Sequence, residues 1–309
     1  MKMSIRFHNF WGDFDANDNV FLEMLNARGF EVIVEPDLNK IVDLQIVSVF
    51  RPPKSYLKRF LLKIVNKLAR YKSTYRTTSN YEPLLPKKNT AVRNVFYTGE
   101  NIRPPFRENF DGFMSFDLDN FGGKNEYLPL WMLDLAINKS RYSKRIGIEF
   151  NGQDLLKPRE LVIAEKNKFM CAFISNPEPI RMLAVQDFSN FGVVDVFGGV
   201  AGNRVNSKIE VASKYKFMLC FENDLYPGYV TEKLLEAYLS NTVPVYWGDL
   251  GSSNYMNEKA FINLKDFQNM QEFTKYVGNL TDAEYQEIYE QPLLNNYPDL
   301  MRISRILVP

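Results

Sequence analysis

The chain has 309 residues, 45% of them hydrophobic and 24% charged, with 38 Lys and Arg against 37 Asp and Glu for a formal net charge of +1. Two cysteines, a single histidine and no uninterrupted apolar run of the ~18 residues a membrane helix needs exclude a disulfide framework, a histidine-built zinc centre and a helical membrane span. That much apolar residue is enough for two domains of ordinary size, each with its own core.

In chain order, residues 5–8 alternate like a first strand, and the N-terminal MKMSIRFHNF has no signal-peptide core. A helix over 19–28 follows, then strands over 30–35, 44–50 and 94–97, the last running into Gly99 and Glu100. His8 falls at a strand end, where a structural role is expected. The pattern restarts with strands over 170–174, 193–197, 216–221 and 243–246, so two mainly parallel sheets are expected, joined near 145–159. Cys171 and Cys220 both sit inside apolar strand-like runs and read as buried thiols, which suits a reducing compartment. The expectation is a soluble or peripheral, cytoplasmic chain.

Residues 215–249, YKFMLCFENDLYPGYVTEKLLEAYLSNTVPVYWGD, read as strand, polar loop, helix, strand. The apolar run ends abruptly at Glu222, Asn223 and Asp224, Pro227 and Gly228 mark a turn, and Leu234, Leu235, Tyr238 and Leu239 form a helical stripe. With a helix starting near Val230, Glu232 and Lys233 lie in its first turn, at the strand ends where such sheets bind ligands. Lys233 can meet a phosphate there and Glu232 a sugar hydroxyl. The plainer alternative is a capping carboxylate beside a solvated lysine. No G-x-G-x-x-G follows a strand and no G-x-x-x-x-G-K-S/T occurs, so dinucleotide and P-loop phosphate sites are absent.

Phe221-Glu222-Asn223, Tyr229-Val230-Thr231-Glu232-Lys233 and Val243-Pro244-Val245-Tyr246-Trp247-Gly248 resemble the donor-binding signature of the alpha-1,3/1,4-fucosyltransferases, bacterial type. Phe96-Tyr97-Thr98-Gly99-Glu100-Asn101, Ser175-Asn176-Pro177 with Arg181, and Phe10-Trp11-Gly12-Asp13 agree in the same order. The resemblance implies an α/β fold of GT-B architecture, two Rossmann-like domains facing across a cleft. The expected division is an acceptor domain over 1–156 and a donor domain over 157–309.

The resemblance further implies an inverting transfer of L-fucose from GDP-beta-L-fucose to a GlcNAc or Glc hydroxyl of an oligosaccharide or glycolipid acceptor, in alpha-1,3 linkage. Glu100 matches the family's catalytic base, Glu232 holds fucose or steadies positive charge at its anomeric carbon, and Arg181 and Lys233 meet the diphosphate. Asn223 and Tyr229 add neutral hydrogen bonds to the nucleotide. No cofactor is required, and Asp117-Leu118-Asp119 is read as a chance D-x-D away from the phosphate residues rather than a metal site. Glu222 and Glu232 stand ten apart, against the eight of retaining relatives of this architecture. The alternatives are another nucleotide-sugar-dependent GT-B transferase and a non-catalytic carbohydrate-binding protein.

Residues 51–93 carry twelve Lys and Arg against the single acid Glu82. Within them Leu57, Phe60, Leu61, Ile64, Val65 and Leu68 form a helical stripe with Lys58, Arg59, Lys63, Lys67 and Arg70 facing elsewhere. This basic amphipathic helix packs on the first sheet or, in the alternative, contacts an anionic membrane through 56–71. Nucleic acid is not expected, since no recognition motif accompanies the charge.

Overall fold

The computed structural model describes residues 1–12, 14–50, 90–103, 109–137, 139–160 and 166–309. The amphipathic helix of 56–71, most of the basic insertion and Asp13 lie outside the described residues.

The first unit is a six-stranded sheet in the order β2-β1-β3-β4-β5-β6, parallel throughout. Its strands are β1 (Lys2–His8), β2 (Glu31–Val34), β3 (Val42–Val47), β4 (Ala91–Thr98), β5 (Gly112–Ser115) and β6 (Asn125–Tyr127). Helix α1 (Val20–Ala27) returns the chain from β1 to β2, with Asn19 accepting from the Leu22 N–H as its cap. A short antiparallel hairpin, β7 (Ser140–Ser143) and β8 (Ile148–Asn151), leads to the second unit.

The second sheet, also parallel, has the order β10-β9-β11-β12-β13, from β9 (Lys168–Phe173), β10 (Val194–Phe197), β11 (Tyr215–Phe221), β12 (Val243–Trp247) and β13 (Ile262–Asn263). Its helices are α2 (Pro179–Phe188), α3 (Lys208–Ala212), α4 (Lys233–Leu239), α5 (Met270–Gly278) and α6 (Asp282–Tyr289). Strands buried on both faces read as the near-continuous apolar runs seen in β11 and β12.

Three expectations need correction. The insertion drawn as 51–93 overlaps β4: Arg93 is a strand residue whose Nε and Nη2 donate to the Ile306 carbonyl at 3.3 and 3.0 Å. Separate cores were expected, yet the largest apolar cluster runs from Ile5, Leu44 and Val95 of the first sheet to Met218, Cys220 and Leu234 of the second. The chain's last turn explains part of this. Helix α7 (Leu300–Ile303) and the residues after it return to the first unit, where Arg28 Nη1 donates to the Ser304 and Val308 carbonyls.

The third concerns Gly99, read at the end of β4 as a residue that could let the backbone turn sharply; its backbone is not in the left-handed region, and flexibility is not what it supplies. A Cβ there would stand 2.9 Å from Leu130 Cβ and run into the Tyr97 hydroxyl. Gly99→Ala therefore overpacks the site under Glu100. We expect about 1–3 kcal/mol of destabilisation, read as a lower denaturant midpoint, and an unchanged midpoint would show that the pocket relaxes freely.

Candidate active site

A cleft of about 210 Å³ opens at the carboxyl ends of β9 and β11, lined by Ile174, Ser175, Asn176, Arg181, Lys208, Phe221, Asn223, Glu232, Lys233 and Glu236, among others. This is the edge at which parallel α/β sheets bind ligands.

Local chemistry at β11 sets its shape. Glu222 is fully buried, and its carboxylate accepts from the Thr231 N–H at 2.8 Å, the Thr231 hydroxyl at 2.7 Å and Lys233 Nζ at 2.9 Å. These bonds hold residues 229–231 out of the helix. α4 consequently begins at Lys233 rather than near Val230, and Glu232 is its N-cap residue without a side-chain capping bond. The capping alternative for Glu232 is thereby set aside.

Of the residues singled out from sequence, Arg181, Asn223, Glu232 and Lys233 line the cleft. Arg181 is buried, donating through Nε (3.1 Å) and Nη2 (2.5 Å) to the Phe221 carbonyl and through Nη1 (3.2 Å) to the Asn176 carbonyl. It locks α2 to the end of β11, and a guanidinium with five N–H groups keeps further donors for a ligand. Tyr229 stands behind the wall. It is fully buried, 5.1 Å from the Phe116 ring, and its hydroxyl accepts from Asn223 Nδ2 at 3.4 Å.

Glu100 arrives from the other unit, just past β4, and lies within electrostatic reach of Glu232, Lys233, Arg145 and Glu222. Two ties close that approach: Asn101 Nδ2 donates to Asp224 Oδ2 at 2.9 Å, and Arg103 and the Tyr226 hydroxyl both donate to Asp117 Oδ2, at 2.9 and 3.1 Å. Asp117 is thus engaged by protein partners, and Asp119 accepts from the Phe121 N–H at 2.8 Å. Among the described residues no group of three His, Cys, Asp or Glu side chains is arranged to hold a metal ion.

The two carboxyls are driven in opposite directions. Burial and then the charge of Glu232 lift Glu100 above the ordinary carboxylate range. Burial would also lift Glu232, but Lys233, Arg145 and Lys208 outweigh it and hold that carboxyl down at about 2. Such a split is how one site assigns different duties to two carboxylic acids.

Three charged residues escaped the sequence reading. Lys208, on α3, places Nζ 2.9 and 3.0 Å from the two oxygens of Glu236. Glu236 lies four positions after Glu232, so its place on the same helix face was readable. Arg145, in the β7–β8 turn, pairs with Asp134 and reaches Glu232 Oε2 at 3.0 Å. Its sequence neighbourhood carries no signal of that contact. Beside it a second, smaller cavity opens in the first unit, lined in part by Trp11, Phe14, Asp15, Asp18, Arg141 and Arg145.

Two all-parallel α/β units whose strand ends meet across a charged cleft make this a protein of the GT-B architecture. Residues 163–291 match the family described as glycosyltransferase family 10 (fucosyltransferase) C-term. It is 29% identical over 319 residues to the alpha-(1,3)-fucosyltransferase FucT of Helicobacter pylori, covering 94% of this chain and 60% of that protein. A crystal structure of an alpha1,3-fucosyltransferase with GDP superposes with a TM-score of 0.67 at 25% identity, over 99% of this chain and 88% of the other. A second, with GDP-fucose, gives 0.65 at 25% identity over 99% and 90%. The chain spans 60% of the length of the Helicobacter protein and smaller shares, 26% and 34%, of other curated relatives.

Lys233→Met would leave the Glu222 carboxylate buried without its cation. Breaking such a pair costs about 3–5 kcal/mol, and the double variant with Glu222→Gln should recover part of the loss in a denaturant melt. A single variant as stable as the wild type would show that Thr231 alone satisfies Glu222.

Proposed function

We propose that the chain transfers L-fucose from GDP-beta-L-fucose to a GlcNAc or Glc hydroxyl of an oligosaccharide or glycolipid acceptor, forming an alpha-1,3 linkage with inversion. The observation that carries this reading is the meeting of Glu100 and Glu232 from opposite units, one carboxyl lifted and the other held ionised. The family match over residues 163–291 and the likeness to structures with GDP and GDP-fucose support the choice of donor. The working division is an acceptor domain over 1–156 and a donor domain over 157–309.

In this reading the donor diphosphate lies against Lys233, Arg181 and Lys208, with Asn223 at the same wall. Tyr229 supports Asn223 from behind. The acceptor occupies the neighbouring cavity, where Trp11 and Phe14 offer aromatic faces to a sugar and Asp15, Asp18 and Arg141 offer hydrogen bonds. Glu100 takes the proton of the attacking hydroxyl as its oxygen bonds to the anomeric carbon on the face opposite the phosphate. The bond from that carbon to the phosphate oxygen breaks, its electron pair leaves with GDP, and Glu232 steadies the positive charge that develops on the sugar. The cations facing the leaving group are side chains, so transfer needs no divalent metal in this reading. The companion reading for 56–71 is a peripheral contact with an anionic membrane at its cytoplasmic face, tested by sedimentation with anionic against neutral vesicles.

The test is incubation with GDP-fucose, or separately with other nucleotide sugars, and a panel of lactose and N-acetyllactosamine acceptors, with EDTA present, following GDP release and product linkage. Turnover of another donor alone would favour a different nucleotide-sugar transferase, and binding of the glycans with no turnover a carbohydrate-binding protein. Glu100→Gln is expected to lower kcat by about 10²–10⁴-fold with GDP binding nearly intact. Because the base must be deprotonated, kcat/KM should rise with pH through an acid limb above the ordinary value of 4.5 for a glutamate. An acid limb at or below that value removes Glu100 from the role.

A further inference from the structure

We infer that Arg145 is a positioning residue, a strap from the first unit that fixes the Glu232 carboxylate in the cleft of the second. The inference rests on the transfer reading above and adds to it a residue that no motif marks.

The strap is assembled within the first unit before it reaches Glu232. The Ser143 hydroxyl donates to Asp134 Oδ1 at 2.6 Å and accepts from the Ile146 N–H at 3.1 Å, which fixes the hairpin turn. Arg145 Nη2 donates to the Leu130 carbonyl at 2.8 Å, and Nε lies 3.4 Å from Asp134 Oδ1. The guanidinium plane is therefore set by Asp134 and Leu130, with Nη1 left to point across at Glu232 Oε2. A planar fork held on two edges presents its third at a defined place, which a lysine cannot do.

Glu232 needs such an external hold, because its carboxylate makes no capping bond to its own helix. The pair is sheltered, with side-chain exposures of 19% and 17%, so water screens it far less than a surface ion pair. Asp134 shares the guanidinium, so Glu232 is oriented without receiving the whole of its charge. Oε2 is engaged, which leaves Oε1 for a sugar hydroxyl or for charge at the anomeric carbon. Arg145 lines the first cavity and Glu232 the second, so their contact is the partition between the two.

The groups facing Glu232 are Lys233 and Glu236 of α4, Lys208 of α3, Arg181 of α2, Arg145 of the hairpin, Glu100 after β4 and the phenols Tyr97 and Tyr229. Lys233 and Lys208 remain when Arg145 is removed, so Glu232 stays an acid of lowered pKa but titrates higher than before.

The experiment uses the full chain as wild type, Arg145→Met and Arg145→Lys. It measures kcat and KM for GDP-fucose and titrates carboxyl-labelled glutamates by NMR without substrate, the Glu232 signal being assigned by its loss in Glu232→Gln. Arg145→Met should lower kcat on the order of 100-fold with a smaller change in KM, and move the Glu232 titration upward. Arg145→Lys, which keeps charge but loses the fork, should leave the titration near wild type while kcat still falls. Wild-type kcat in either variant overturns the inference, as does an unmoved Glu232 titration in Arg145→Met. If Arg145→Met does not fold, Arg145→Lys decides alone. A wild-type chain that turns over no GDP-fucose overturns the transfer reading instead, and the substrate-free titration still decides whether Arg145 governs Glu232.

Discussion

A carboxylate with no exposure to water, Glu222 at the end of β11, is the constraint on which the donor side depends. An unpaired charge at that depth is untenable, so the chain must bring it donors. Thr231 supplies two and Lys233 a third. Turning both inward leaves the residue between them, Glu232, directed at the cleft. The tripeptide Thr231-Glu232-Lys233 thus encodes a geometry: its outer members serve the fold, and its middle member is delivered to the chemistry by their bonds.

The same economy extends across the two units. Asn101 with Asp224, Tyr226 on Asp117, Arg103 over the Tyr226 ring at 4.3 Å, and Arg145 on Glu232 all cross between the two units. The Tyr127 hydroxyl adds a bond to the Gly228 carbonyl at 3.0 Å, at a turn where Gly228 has a φ of 84°. Polar ties at the mouth and a continuous apolar cluster behind them fix the distance between the two carboxyls. The last turn of the chain, docked on Arg28 and Arg93, closes the joint from the far side.

Much of this was legible in the sequence where strands are long and buried. β1, β3, β4, β9, β11 and β12 announce themselves as apolar runs, and the donor wall follows from the junction of β11 with α4. β5 and β6 do not: Gly112–Ser115 and Asn125–Tyr127 are short and become strands only through pairing along the sheet edge. Arg145, Lys208 and Asp134 were missed for a related reason. Arg145 and Lys208 acquire their roles from partners 87 and 28 residues away and Asp134 from Arg145 across a hairpin, and nothing in local periodicity records those partners. Helix α4 starts three residues later than the apolar stripe suggests, since the Glu222 bonds override local propensity.

In the proposed transfer the charges around the cleft bear on how Glu100 would accept a proton, and they lift a second carboxyl as well, Glu236, which burial and the charge of Glu232 raise to about 7 against the pull of Lys208. Arg145, Arg181, Lys208 and Lys233 stand against Asp134, Glu222, Glu232 and Glu236, and three of the four cations are already in ion pairs with members of that set. Glu100 has burial and the charge of Glu232 opposing its ionisation, with Lys233 and Arg145 pulling the other way without overcoming them. Taking the acceptor's proton would neutralise a charge that burial and Glu232 oppose, at the step when the diphosphate gains negative charge nearby. In the proposed transfer, proton uptake by Glu100 and departure of the leaving group would be coupled through the same four cations, and the field that lifts one carboxyl while holding the other ionised belongs to the joint between the units rather than to either sheet.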